Sequence, residues 1–243
     1  MLAIFRKEIK SFFTSPIGYL IIGLFLVLNG LFLWVFKGAF NILDYGFADL
    51  SNFFLLAPWV FLFLIPAITM KSFSEERKLG TLELLLIKPV SILKIVLGKF
   101  SGAFVLCLLA VLPTITYVFS ISDLGLPSGN FDIGIVIGSY FGLLFLIATY
   151  ASIGIFASSL SDNQILSFIL GIAICFLIFY GFEALATLVS DGDTGQLLQS
   201  FGIKAHFESI ARGIIDIRDI IYFLSLTFFF LYLTKVRLNT ISK

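Results

Sequence analysis

Few residues in this chain could do chemistry. Glu75-Glu76 is an adjacent carboxylate pair, His206 is the single histidine, Cys107 and Cys175 are the only thiols, and Gly98-Lys99 looks superficially like the end of a phosphate loop. A membrane-embedded metalloprotease would use Glu75-Glu76 only with paired histidines, and these are missing. His206 has no Cys or His partner at ligand spacing. Gly98-Lys99 runs into Phe100 and lacks the upstream glycine that a phosphate cradle requires, so no ATP-hydrolysis motif is present. Both cysteines lie inside apolar runs and read as small packing residues rather than a disulfide or a metal pair. No span interior is expected to hold Asp, His, Lys or Arg, which argues against an ion-coupled carrier, and Glu183 falls near a span end. Asn29 is the polar exception, expected to form an interhelical hydrogen bond.

One segment concentrates the charge. Residues 71–99, KSFSEERKLGTLELLLIKPVSILKIVLGK, hold Lys71, Arg77, Lys78, Lys88, Lys94 and Lys99 together with Glu75, Glu76 and Glu83. The remainder is close to hydrocarbon: 59% of the 243 residues are hydrophobic, 30 are Phe and only 13% are charged. Lipid can solvate that much apolar surface where a soluble core of this size could not. The net charge of +1 says nothing about nucleic acid, but no basic patch is interleaved with aromatics as a strand-binding face requires, so no nucleic-acid partner is expected.

The fold class expected is all-α integral membrane. A bilayer core of ~30 Å takes ~20 apolar helical residues, and six continuous runs qualify, at about 17–36, 53–70, 100–119, 133–159, 164–186 and 219–234, within a single domain spanning 1–243. The runs do not alternate, which excludes strands. Arg6, Lys7 and Lys10 precede the first run, but it outlasts a signal-peptide core and lacks an A-x-A site, so a retained span is expected. Placing both termini in the cytoplasm puts twelve of the sixteen Lys/Arg on that side and ten acids on the other, the bias a bilayer imposes.

Residues 2–13 space Leu2, Phe5, Ile9 and Phe12 along one helical face and Arg6, Lys7, Lys10 and Ser11 along the other. This reads as an interfacial helix joined by an elbow at Ser15-Pro16 to the first span, the alternative being a plain basic anchor. Gly134, Gly138 and Gly142 recur every four residues in the fourth span, continued by Ala148 and Ser152, a face that admits a close helix from the same chain or from a second copy. Pro58, Pro66 and Pro113 sit inside spans, where they can bend a helix or simply pack. Ser161-Asp162-Asn163-Gln164 predicts a capping box opening the fifth helix. Residues 187–216 begin with a turn at 190–195 and continue as either short helices dipping into the outer leaflet or an exposed loop.

Within the charged segment, Ser72 and Glu75 predict a capping box. Gly80 breaks the helix, Thr81 serves as N-cap of a new one, Glu83 sits in its first turn, and Pro89 ends it before Ser91 caps the next. The stretch Leu84-Leu85-Leu86-Ile87 is too short to span a bilayer. The result is a short cytoplasmic helix between spans two and three, able either to pass a push from a soluble partner into the membrane or merely to enforce topology.

The run Phe73-Ser74-Glu75-Glu76-Arg77-Lys78-Leu79-Gly80-Thr81-Leu82-Glu83-Leu84-Leu85-Leu86, followed by Lys88-Pro89-Val90-Ser91 and Gly98-Lys99, resembles the signature of ABC-2 type transporter permeases. It is most similar to the gliding-motility-associated ABC transporter permease subunit of Bacteroidetes and to related copper-processing and sodium-export permeases. That resemblance, which covers essentially the whole chain, implies a non-catalytic subunit in the inner membrane. Two permease chains, identical or not, would join two cytoplasmic ATPase subunits that hold the ATP and magnesium. The helix at about 81–88 would be the coupling helix entering the ATPase, with Gly80, Thr81, Leu82, Glu83, Leu84, Lys88 and Pro89 at the interface. Glu75, Glu76 and Arg77 would line the inner gate, and the elbow residues Phe5, Arg6, Lys7 and Lys10 would add a second contact. A non-transporting scaffold that anchors an envelope machine would present the same surface, and the outer segment could receive a periplasmic or envelope protein. The cargo has no signature.

Overall fold

In the computed structural model, residues 1–87, 89–189, 192–213 and 216–241 are described. Lys88, Ser190, Asp191 and Lys243, counted above in the coupling segment, the turn and the charge balance, lie outside them. Among the described residues the regular structure is all helical. The helices run in order α1 (Leu2–Thr14), α2 (Pro16–Gly30), α3 (Ile42–Tyr45), α4 (Ser51–Thr69), α5 (Lys71–Lys78), α6 (Thr81–Leu86) and α7 (Ile92–Val111). They continue with α8 (Ile115–Leu124), α9 (Ile133–Leu160), α10 (Gln164–Phe176), α11 (Phe182–Ala186), α12 (Gly192–Gln199), α13 (Ile203–Ala211) and α14 (Ile217–Ile241).

Six stretches among the described residues are long and apolar enough to cross a membrane: Gly18–Val35, Ser51–Lys78, Ile92–Leu124, Ile133–Leu160, Gln164–Ala186 and Ile217–Ile241. The expected spans are all present, but the second, third and sixth are longer than their apolar runs. Ser51–Lys78 has 28 residues, or ~42 Å at 1.5 Å per residue, against a ~30 Å hydrocarbon core. Hydropathy finds only the part that lipid must solvate; the helix propagates further because each added turn completes its own hydrogen bonds. Pro58 and Pro66 stay inside α4, whereas Pro113 lies in a 3-10 turn, Leu112–Thr114, between α7 and α8.

Helix α9 is the central post. It packs against α4, α7, α10, α13 and α14, and buries Leu143, Leu146, Ile147, Tyr150 and Ile153. Small residues set these approaches: a methyl at Gly154 would run into Thr69 of α4, and one at Gly171 of α10 would meet Pro66 Cβ at 3.1 Å. The open question of what covers the glycine face has a local answer. Gly138 and Gly142 receive Ile210 of α13, from the same chain, while Gly134 has only its own Asp132 nearby. Among the described residues of 187–216, Gly192–Gln199 and Ile203–Ala211 are helical rather than an exposed loop, with Phe207 and Ile210 buried against α9. The predicted turn is also helical from Gly192 onward.

Several local expectations are corrected. Ser72 does not cap anything: it lies inside α5, which continues α4 past Met70. Gly80, at φ +67, takes the N-cap of α6, and Thr81 is its first helical residue. Only glycine enters that left-handed conformation without strain, so the chain turns there. Ser91 occupies the N-cap of α7 without a side-chain bond. The box at 161–164 is replaced by Asn163, whose Oδ1 accepts from the Ile165 and Leu166 N–H groups, while Ser161 Oγ accepts from the Asn163 N–H. Among the described residues Asn29 finds no interhelical partner. Its amide donates to the Phe25 carbonyl at 2.8 Å, one turn back on its own helix.

Candidate functional site

Ile4 from the start of the chain and Ile241 from its end pack on the same small cluster, built from Phe73, Leu82, Ile95, Val96, Ile155, Leu231 and Leu238. Both termini and the charged segment therefore share one end of the bundle. Leu82 of α6 is 2% exposed in this cluster, which roots the short helix in side chains from α5, α7, α9 and α14. Its other face is open. Thr81 and Glu83 are exposed, and Leu79, Leu84 and Ile87 form an apolar ridge in which Leu84 is 62% and Ile87 77% exposed. Pro89 is exposed beyond the helix end. Large apolar side chains exposed beside a charged segment mark a contact surface.

Behind that ridge lies a buried charge cluster that the sequence reading did not find. Lys99 was assigned to the charged segment; its side chain is instead only 2% exposed, inside the helix that forms the third span. Its Nζ donates to Glu8 Oε1 of α1 at 2.9 Å, to Glu76 Oε1 of α5 at 3.0 Å and to the Ser72 carbonyl at 2.7 Å. Phe73 places its ring 5.1 Å from the same ammonium. A buried ammonium persists only when paired and fully hydrogen-bonded, and all three of its donors are met here. Glu76 Oε1 also accepts from Lys7 Nζ at 3.0 Å. Burial works against the Lys7 charge, but the bond to Glu76 and the fields of Glu8 and Glu75 outweigh it and hold its proton above the usual lysine range.

The neighbouring residue reaches the other way. Arg77 Nη1 donates to the Ser159 carbonyl at 3.0 Å, in the last turn of α9. Carbonyls there lack intrahelical partners and attract cations. The Thr81 hydroxyl donates to the Glu76 carbonyl at 3.3 Å across the Gly80 break. Helix α5 thus ties the root of α6 to the elbow helix through Glu76 and to the central post through Arg77. Glu75 is half-buried on the same helix and lines a crevice toward α1.

The elbow helix is held by this cluster rather than lying free. Pro16 opens α2 directly after an extended Ser15, as expected, and α1 has no fully buried residue. Of the expected stripe, Phe5, Ile9 and Phe12 are half-buried and Leu2 is exposed, and Ile4 and Glu8 make the closest approach: a methyl on Gly98 would meet Ile4 Cβ at 2.9 Å and one on Gly102 would meet Glu8 Cβ at 2.7 Å. Phe5 is half-buried, while Arg6 and Lys10 are exposed. Two signals could have revealed this seat: a Gly-x-x-x-Gly spacing that encloses a lysine, and the lone acid Glu8 in an otherwise basic helix.

At the opposite end, Lys204 bridges Glu183 at 2.6 Å, and His206 sits between Asp219 and the Ser200 carbonyl, with Nδ1 2.6 Å from Asp219 Oδ1 and Nε2 2.8 Å from Ser200 O. The imidazole stacks on Tyr222, centroids 3.9 Å apart. The His206 contacts fasten the α12–α13 segment to the final span, and the Lys204 bridge ties it to α11.

The architecture defines a multi-pass helical membrane protein with a short, partly exposed helix, α6, rooted in an apolar cluster beside a buried charge cluster. Residues 2–236 match the family described as ABC-2 family transporter protein, and the chain belongs to that family of membrane permeases. No curated protein matches it.

Proposed function

We propose that this chain is the membrane-spanning subunit of an ATP-driven exporter, and that α6 is the element gripped by a separate cytoplasmic ATPase. The observation that carries the reading is the split character of α6: Leu82 is sunk into the bundle while Leu84 and Ile87 stand exposed beside Glu83. A helix anchored on one face and apolar on the other can transmit a push only if a partner covers the exposed face. Movement of α6 then reaches the elbow through Glu76 and Lys99, and α9 through Arg77. Energetically, the ATPase must bind two permease states with different affinity, since only that difference shifts the equilibrium between them.

The positive-inside bias supports a cytoplasmic location for the end that carries both termini, and hence residence in the inner membrane. The weakly covered first, fifth and sixth spans leave room for lipid and for a second permease chain. The likeness of residues 73–99 to gliding-motility permeases supports use of the exporter in motility. In a reconstituted complex with the ATPase, Glu83→Lys together with Leu84→Asp is expected to abolish assembly and stimulated ATP hydrolysis. Unchanged values for both would refute the coupling role.

A further inference from the structure

The crevice between α1 and α5 carries chemistry that coupling does not use. It has a volume of about 360 Å³ and is walled by Lys7, Lys71, Glu75 and Glu76, with Phe12 and Ile68 on its apolar side. Lys99 and Glu8 also reach its lining, so it holds three lysines and three glutamates and is formally neutral. Lys99, Glu8 and Lys7 are engaged with Glu76 or with one another. Lys71 and Glu75 are different: among the described residues neither has a side-chain hydrogen bond or an ion pair. They sit one turn apart on α5, so opposite charges project side by side from positions roughly 5–6 Å apart. Glu76 adds a second demand, because its Oε2 is buried without a hydrogen-bond partner.

A neutral lining with separated charges selects against a simple anion or a metal ion, each of which would meet as much repulsion as attraction. It suits a ligand that carries both signs a short distance apart. We propose that this crevice binds an amine–phosphate group, the phosphoethanolamine headgroup of a membrane lipid. Its phosphate is taken by Lys71 with Lys7, and its ammonium by Glu75 beside Glu76. The ammonium supplies N–H donors that a carboxylate can use; a trimethylated headgroup has none. Phe12 and Ile68 provide the apolar wall along which acyl chains leave toward the bilayer, which favours a lipid over a free amine–phosphate. The bound headgroup would tie the elbow to the second span at the point where the charge cluster also ties them.

The test is native mass spectrometry of the full chain purified from vesicles of equal phosphatidylethanolamine, phosphatidylcholine and phosphatidylglycerol content. The ethanolamine lipid is expected to be retained about tenfold over the other two, the discrimination that one charge-assisted hydrogen bond supplies. Lys71→Ala with Glu75→Gln is expected to erase the preference. A competition on the wild-type chain guards against a misfolded variant: soluble phosphoethanolamine, but not phosphocholine, is expected to compete. Displacement at millimolar concentration would assign the site to free amine–phosphates, and displacement only at far higher concentration to the lipid. Equal retention of the three lipids, a preference for the glycerol lipid, or a preference unchanged in the double variant would overturn the proposal.

Discussion

Lys99 and Glu8 are 91 positions apart in the chain and 2.9 Å apart in the fold. Their pairing joins the elbow helix to the third span, and Glu76, bonded to the same ammonium, adds the second. Three elements that hydropathy treats separately are thereby locked at one point, directly behind the helix proposed to meet the ATPase.

Replacing the central cation tests that lock. Lys99→Met strips a buried cluster of its charge balance and leaves Glu8 and Glu76 facing each other. A loss of about 3–5 kcal/mol is expected, the usual penalty for breaking a buried pair from one side. Adding Glu8→Gln and Glu76→Gln should recover much of it, because no uncompensated carboxylate then remains. Thermal unfolding followed by tryptophan fluorescence in detergent would measure both.

Steric seats can be separated from mere small-residue spacing. Gly102→Leu must push Glu8 away, so α1 should lose its seat and be cut faster at Arg6, Lys7 and Lys10 in limited trypsin digestion. Gly142→Leu should displace Ile210 and loosen α13 instead, whereas Gly134→Leu, which faces no other helix, should change stability by less than about 1 kcal/mol.

The far end should weaken when its ring contacts go. His206→Ala removes bonds to Asp219 and Ser200 and the stack on Tyr222. A cost of about 1–3 kcal/mol is expected, because Asp219 is left buried. Hydrogen exchange should rise across residues 196–211 and remain unchanged in α5 and α6.

Alkaline pH should act through Lys204. Burial opposes its charge, but the bond to Glu183 and the charge of Glu208 prevail and raise its pKa above 10.5. The folded form therefore holds that proton more tightly than the unfolded chain does. The stabilisation is complete below 10.5 and fades as pH climbs through the higher folded value. The difference in unfolding temperature between wild type and Lys204→Met should be full below pH 10.5 and shrink as pH climbs beyond it.

The six spans were legible because each is a run of side chains that water rejects, and α6 was legible because Gly80 and Pro89 punctuate the chain on either side of it. The Glu8–Lys99–Glu76 cluster was not. Charges in a loop-like segment read as solvated, whereas the close approach of α1 over Gly98 and Gly102, together with Ser72, Phe73 and Glu76 of α5, removes the water around Lys99. The caps failed for a related reason. Ser72 matched a capping pattern, but propagation of α4 into α5 left no helix start there to cap. His206 lacked a partner at ligand spacing because Asp219 comes to it from another helix.

The central claim is that the exposed face of α6 is cytoplasmic and covered by a motor protein. Its most direct test is cysteine labelling of Leu84→Cys in a chain whose buried Cys107 and Cys175 are replaced by alanine. A membrane-impermeant maleimide should fail on intact cells, react after permeabilisation, and be blocked when the ATPase is co-expressed. Reaction from outside intact cells, or labelling indifferent to the ATPase, would contradict the account.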